Sequence, residues 1–132
     1  MVNNITLDGV DQAAFDYYPV LRRLSAFVRA HLEEPISLDR AAGVVGLEPK
    51  YLSAFFRQKA GLCYTEWLRG LRIQKAIELL DRSDQRITDL AFTVGFQDLR
   101  TFERWFKRST GFTPRDYRAV RRLRPASPDH ES

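Results

Sequence analysis

The chain repeats itself. SLDRAAGVVGL at 37–47 aligns with RITDLAFTVGF at 86–96 at an offset of 49, pairing Leu38 with Ile87, Ala42 with Ala91, Val45 with Val94, Gly46 with Gly95 and Leu47 with Phe96. FFRQKAGLCYTEW at 55–67 aligns with WFKRSTGFTPRDY at 105–117 at an offset of 50, pairing Phe56 with Phe106, Arg57 with Lys107, Gly61 with Gly111, Leu62 with Phe112 and Trp67 with Tyr117. The change of offset places one extra residue in the second copy, around Gln97–Leu99. Such self-similarity implies two copies of one supersecondary unit, with the remaining residues left to join and cover them.

Each copy has the same local logic. A short helix carries a small residue on its packed face, Ala42 or Ala91. Four residues later Gly46 or Gly95 supplies the left-handed backbone of a tight turn. An amphipathic helix follows, at about 49–59 and about 98–109 by the spacing of apolar residues. In the second copy Phe102, Trp105 and Phe106 fall at i, i+3 and i+4 and form one stripe, while Arg100, Arg104 and Lys107 form another. Helix, glycine turn and helix at a steep angle make a helix-turn-helix, whose second helix enters the major groove of DNA. A plain helical hairpin would share the alanine and the glycine. It has no need of a basic front on the second helix of both copies.

Charge follows the same division. The 132 residues, enough for one domain with a real core, carry a formal net charge of +4. From Arg86 to Arg124 stand ten bases against four acids, a net of +6. Residues 1–16 hold three Asp and no base. The single cysteine, Cys63, excludes an internal disulfide and fits a reducing cytoplasm. No apolar run approaches the roughly 18 residues of a membrane span, and the N-terminus has no signal-peptide pattern. His31 and His130 are far apart, no Cys/His cluster has metal-ligand spacing, and no phosphate-binding glycine loop or nucleophile elbow is present. The expectation is a protein that is not an enzyme, uses no cofactor and has no membrane partner.

Other segments place the copies. Residues 18–32 carry Leu21, Leu24, Phe27, Val28 and Leu32 at helical spacing, and Ser37 is an N-cap for the helix starting at Leu38. Arg86, its counterpart, is a poor cap. Residues 64–82 form a long helix whose apolar residues (Trp67, Leu68, Leu71, Ile73, Ala76, Ile77, Leu79, Leu80) surround much of its axis, so it packs on more than one side. Thr113, Pro114 and Asp116 read as N-cap, N1 and N3 of a last helix, and Cys63 stands where Thr113 stands in the second copy. Leu52, Phe55, Phe56, Phe96, Phe102, Trp105, Phe106 and Phe112 are assigned to the core. Residues 1–17 read as a flexible segment or linker remnant, and 123–132 as a disordered tail.

These pieces resemble the DNA-binding domain of the AraC/XylS family of bacterial transcription regulators. The resemblance is carried by PISLDRAAGVVGL, YLSAFFRQKAG, WLRGLRIQKAIELL, ITDLAFTVGF and TFERWFKRSTGFTPRDYR, which together span about residues 18–120. It implies an all-α fold of seven helices, with helix-turn-helix subdomains at 18–63 and 83–122 joined by the helix at 64–82. It implies double-stranded DNA as partner, read at two successive major-groove segments. It further implies RNA polymerase as a partner, and a sensing or dimerisation domain outside this chain. The family positions that face base edges fall on Lys50, Ser53 and Ala54 in the first unit and on Leu99, Arg100, Glu103 and Arg104 in the second. Arg57 and Lys107, one turn further along, fall to phosphate. Ser53 and Ala54 are shorter than the polar side chains the family often places there, so the first unit is expected to read a weaker code. A low-specificity DNA-bending protein and a helical module antagonising a related regulator are the competing readings.

Overall fold

The computed structural model describes residues 10–123, and within them every regular element is a helix. In chain order these are α1 (Gln12–Tyr17), α2 (Pro19–Ala30), α3 (Leu38–Val45), α4 (Pro49–Ala60), α5 (Tyr64–Arg82), α6 (Ile87–Thr93), α7 (Leu99–Thr110) and α8 (Pro114–Leu123). The eight described helices are one more than the seven expected. The addition, α1, lies inside the 1–17 segment expected to be flexible. The expected tail at 123–132 lies outside the described residues except for Leu123, the last residue of α8.

The extra helix has a physical cause. Asp11 caps α1 by accepting from the Ala13 amide at 3.1 Å, and its own amide donates to the Ala60 carbonyl at 2.7 Å. Phe15 then lies flat on Trp67, with ring centroids 5.2 Å apart, and meets Phe56 edge-on at 5.8 Å. A six-residue helix has little stability of its own. Burial of this ring against α4 and α5 holds it.

The two copies fold alike. Both turns leave their first helix through a left-handed glycine, Gly46 at φ 71° and Gly95 at φ 105°. Both second helices end at another, Gly61 at φ 94° and Gly111 at φ 86°. The inserted residue is where the offsets placed it. Leu47 and Glu48 separate Gly46 from α4, whereas Phe96, Gln97 and Asp98 separate Gly95 from α7. Ser37 caps α3 through the Arg40 amide (3.1 Å) and Thr113 caps α8 through the Asp116 amide (3.0 Å), while Arg86 makes no side-chain cap to α6.

Two apolar clusters sit at the two ends of α5. Trp67, Leu68 and Leu71 join Leu21, Leu24, Leu52 and Phe56 in the first. Ile73, Ala76, Ile77 and Leu80 join Leu90, Phe102, Phe106 and Tyr117 in the second. One continuous helix therefore supplies part of both cores, which is why its apolar residues surround the axis. Its 19 residues make a rod of about 28 Å at 1.5 Å per residue.

A side chain at the middle of α5 ties the halves. Arg72 donates from Nε to the Leu32 carbonyl at 3.1 Å and from Nη2 to the Glu34 carbonyl at 2.7 Å, bonding the loop that leaves α2. Gly95 of the second turn packs against the same place: a Cβ there would collide with the Leu32 carbonyl and the Arg72 guanidinium. Gly46, its counterpart, has open space around it. The two turn glycines thus serve the same backbone conformation, but only the second is also a packing requirement.

Candidate nucleic-acid interface

α4 and α7 present equivalent positions to solvent in the same register. On α4, Lys50, Ser53, Ala54 and Arg57 are exposed while Leu52 and Phe56 are fully buried behind them. On α7, Arg100, Glu103, Arg104 and Lys107 are exposed while Phe102 and Phe106 are fully buried. The sequence-assigned residues therefore come together as two polar fronts, each held by an aromatic back. Leu99 is the exception. It is half-buried and packs against the second core, so only part of its side chain faces outward.

The start of α7 is firmly fixed. The Asp98 carboxylate accepts from the Thr101 amide at 2.7 Å and from the Thr101 hydroxyl at 3.0 Å. These two bonds hold the carboxyl below its ordinary range, with Arg104 and Arg100 adding to the effect. The negative charge also complements the amide end of the helix. α4 begins instead with Glu48 and Pro49 and has no side-chain cap. Lys50 and Arg100 thus project from the first turn of their helices, where a reading helix meets base edges.

Not every cation is available to a polyanion. Arg118 donates to the Gln85 carbonyl at 2.7 Å and the Ser83 carbonyl at 3.2 Å, fastening α8 to the loop between α5 and α6. Arg121 pairs with Asp81 at 2.9 Å and Arg122 with Asp84 at 2.7 Å. Arg40 pairs with Glu34 at 2.7 Å, and Arg23 donates to the Val45 carbonyl at the end of α3. The net of +6 counted along the C-terminal third overstates what that third can offer to a ligand, because three of its arginines brace the fold. Lys50, Arg57, Arg100, Arg104 and Lys107 are not so engaged among the described residues.

The core assignment needs correction at its edges. Leu52, Phe56, Phe96, Phe102 and Phe106 are buried as expected, but Phe55 and Trp105 are half-buried and Phe112 is 42% exposed. Phe112 follows the left-handed Gly111 and touches Tyr117 only by its edge, at 6.5 Å between centroids. Phe55 and Trp105 occupy the same position of their copies, on the flanks of α4 and α7. Phe55 is covered by Tyr18, 5.4 Å away, over which Lys59 lies at 5.3 Å. Trp105 is covered by the Arg69 guanidinium of α5 at 3.6 Å from the ring centroid, with Arg108 at 5.2 Å and Arg104 at 5.9 Å. Sequence reasoning passed over Arg69. The spacing of α5 marks its apolar residues, and nothing in it shows that a cation between them lies against the partner helix.

Comparison with known proteins agrees with this geometry. A family model described as a helix-turn-helix domain matches residues 41–120. The uncharacterised HTH-type transcriptional regulator YobQ of Bacillus subtilis is 32% identical over 93 residues, covering 70% of this chain and 39% of that protein. The HTH-type transcriptional activator RhaS of Enterobacter sp. is 34% identical over 101 residues, covering 76% of this chain and 36% of that protein. The chain thus spans well under half the length of these curated relatives. Among solved structures, an AraC-type DNA-binding domain-containing transcriptional regulator from Chromobacterium violaceum superposes with a TM-score of 0.74 at 28% identity, covering 81% of this chain and 96% of that one. The DNA-binding domain of the global transcriptional factor AdpA, solved with a target DNA, superposes with a TM-score of 0.76 at 27% identity, covering 83% and 98%. Two helix-turn-helix units on one shared helix, the family-model match over more than half of the chain and these superpositions establish that the chain belongs to the AraC/XylS family of helix-turn-helix domains.

Proposed function

We propose that this chain is the sequence-specific DNA-binding part of a transcription regulator, and that it reads two successive major-groove segments with α4 and α7. The observation that carries the reading is the matched register of the two polar fronts on either half of one continuous α5. Adjacent major-groove faces lie about 34 Å apart along one side of a duplex. A rod of about 28 Å with a reading helix at each end is close to that span. The small shortfall is met by loops or by bending the duplex, at a cost of order 1–6 kcal/mol.

The roles follow from side-chain chemistry. Arg100 and Arg104 each match the O6 and N7 of guanine with two donors, and Glu103 accepts from cytosine N4. The outward part of Leu99 meets a thymine methyl. Lys50 reads guanine, while Ser53 and Ala54 are too short to reach far and leave the first unit with the weaker code. Arg57 and Lys107 meet phosphate. Glu103 among three cations disfavours a purely architectural role, since a carboxylate facing phosphate alone is repelled. Contacts with RNA polymerase and coupling to a sensing or dimerisation domain, in the bacterial cytoplasm, belong to the same proposal. Selection from a pool of randomised duplexes tests it. The expected product is a bipartite sequence whose halves are centred about 10 base pairs apart, more sharply defined where α7 lies. Recovery of no preferred sequence would defeat the reading.

A further inference from the structure

The arginines of this chain divide by what their N–H donors do. Arg40, Arg72, Arg118, Arg121 and Arg122 direct them at carbonyls or carboxylates of the protein. Arg69 does not. Its guanidinium lies 3.6 Å from the centroid of the Trp105 ring, and among the described residues no protein oxygen accepts from it. Stacking fixes the plane of a guanidinium through its face and leaves its edge, which bears all five donors, free. Burial against the indole pulls the pKa of Arg69 down, opposed by the neighbouring charge of Glu66 and assisted by that of Arg108. The indole face and the field of Glu66 hold the cation in place, and its donor edge stays open to a ligand.

The place of Arg69 in the fold bears on which ligand its open edge fits. It sits on α5 between the two reading helices. On one side, Glu66 is influenced by both Arg69 and Arg57, the phosphate residue of α4, which places the three in one neighbourhood. On the other side Arg108 and Arg104 lie 5.2 Å and 5.9 Å from the centroid of the same Trp105 ring, and Arg104 belongs to the front of α7. Arg57, Arg69, Arg108 and Arg104 thus lie along the way from α4 to α7, with the acidic Glu66 among them. Glu66 is itself held in place by the Cys63 amide, 3.3 Å from its carboxylate. A duplex engaged at both major-groove segments carries its phosphate backbone across the gap between them.

We propose that Arg69 is a phosphate-binding residue for the DNA backbone between the two major-groove segments, and that Trp105 is the positioning residue that holds its guanidinium ready. This rests on the DNA-binding reading above. The stack limits the side-chain freedom that Arg69 would otherwise lose on binding, which is the usual benefit of preorganisation.

The test uses the full chain, a duplex obtained by selection with the wild-type chain, and a scrambled duplex of the same composition. Affinity is measured across a salt series, and phosphates are mapped by ethylation interference. Arg69→Gln is expected to weaken both duplexes alike by about tenfold, to flatten the salt dependence by about one ion, and to remove interference at phosphates between the two contacted segments only. Trp105→Leu is expected to move affinity in the same direction, with the double variant no weaker than Arg69→Gln alone. Arg69→Lys, which keeps the charge and the fold, is expected to restore the salt dependence but not the full affinity. A wild-type salt slope and interference pattern in Arg69→Gln, whatever happens to its melting temperature, would overturn the inference while leaving the reading helices intact. Equal wild-type affinity for selected and scrambled duplexes would instead defeat the underlying DNA-reading proposal, and this one with it.

Discussion

Arg104 and Trp105 are neighbours on α7 with opposite tasks. Arg104 is exposed on the front, with its guanidinium within 5.9 Å of the Trp105 ring on the flank. Replacing it with Ala should cost about 1–3 kcal/mol of binding and relax selection at one or two base pairs. Titration of the selected duplex and its single-base variants measures this. Trp105, assigned to the core from its spacing, is half-buried beneath Arg69. Phe106, next to it, is fully buried. Phe106→Ala should therefore destabilise by about 3–5 kcal/mol, and Trp105→Ala by clearly less, in denaturant melts of both variants. Equal losses would mean that the ring is more deeply packed than its exposure indicates. Helical spacing identifies which residues share a face. It does not separate the middle of that face from its edge, and Phe55, Trp105 and Phe112 all sit at edges.

At the scale of elements, most starts and stops were legible because they depend on local chemistry. Ser37 and Thr113 cap as their types suggest, the four left-handed glycines end or follow helices, and α5 runs over the residues its pattern marked. Removing the Thr113 hydroxyl by mutation to Ala should lower stability by about 1 kcal/mol, seen as a shifted denaturant midpoint with unchanged slope. The illegible element was α1. Its six residues lack a full helical period of apolar side chains, and its stability comes from Phe15 reaching Trp67 and Phe56, more than 40 residues away in sequence. The clue present in the sequence was the pairing of a capping Asp11 with Ala14 and Phe15, three and four residues on. The duplication itself was the most informative signal, because it fixed turn, register and even the inserted residue before any contact was known.

The whole molecule depends on how the two units are held relative to each other. α5 contributes to both cores, so neither unit can rotate freely without disturbing its own packing. Arg72 and Gly95 add a lock at the midpoint, where the loop after α2 meets the turn after α6. No sequence pattern announces that lock, since it joins three segments that are distant along the chain. Arg72→Ala should reduce affinity for the bipartite duplex while leaving affinity for either half alone unchanged. Titrations of the three duplexes separate this from a general loss of fold. The same rigidity leads to a stricter expectation. On the proposed reading, two heads on a spacer of fixed length meet one face of the duplex, so the spacing of their target halves is expected to be fixed. The most direct measurement is the affinity of the chain for its selected duplex after insertion of five base pairs, about half a helical turn, between the two halves. The account predicts a fall to the affinity shown for the α7 half alone. Undiminished affinity across that insertion would contradict it.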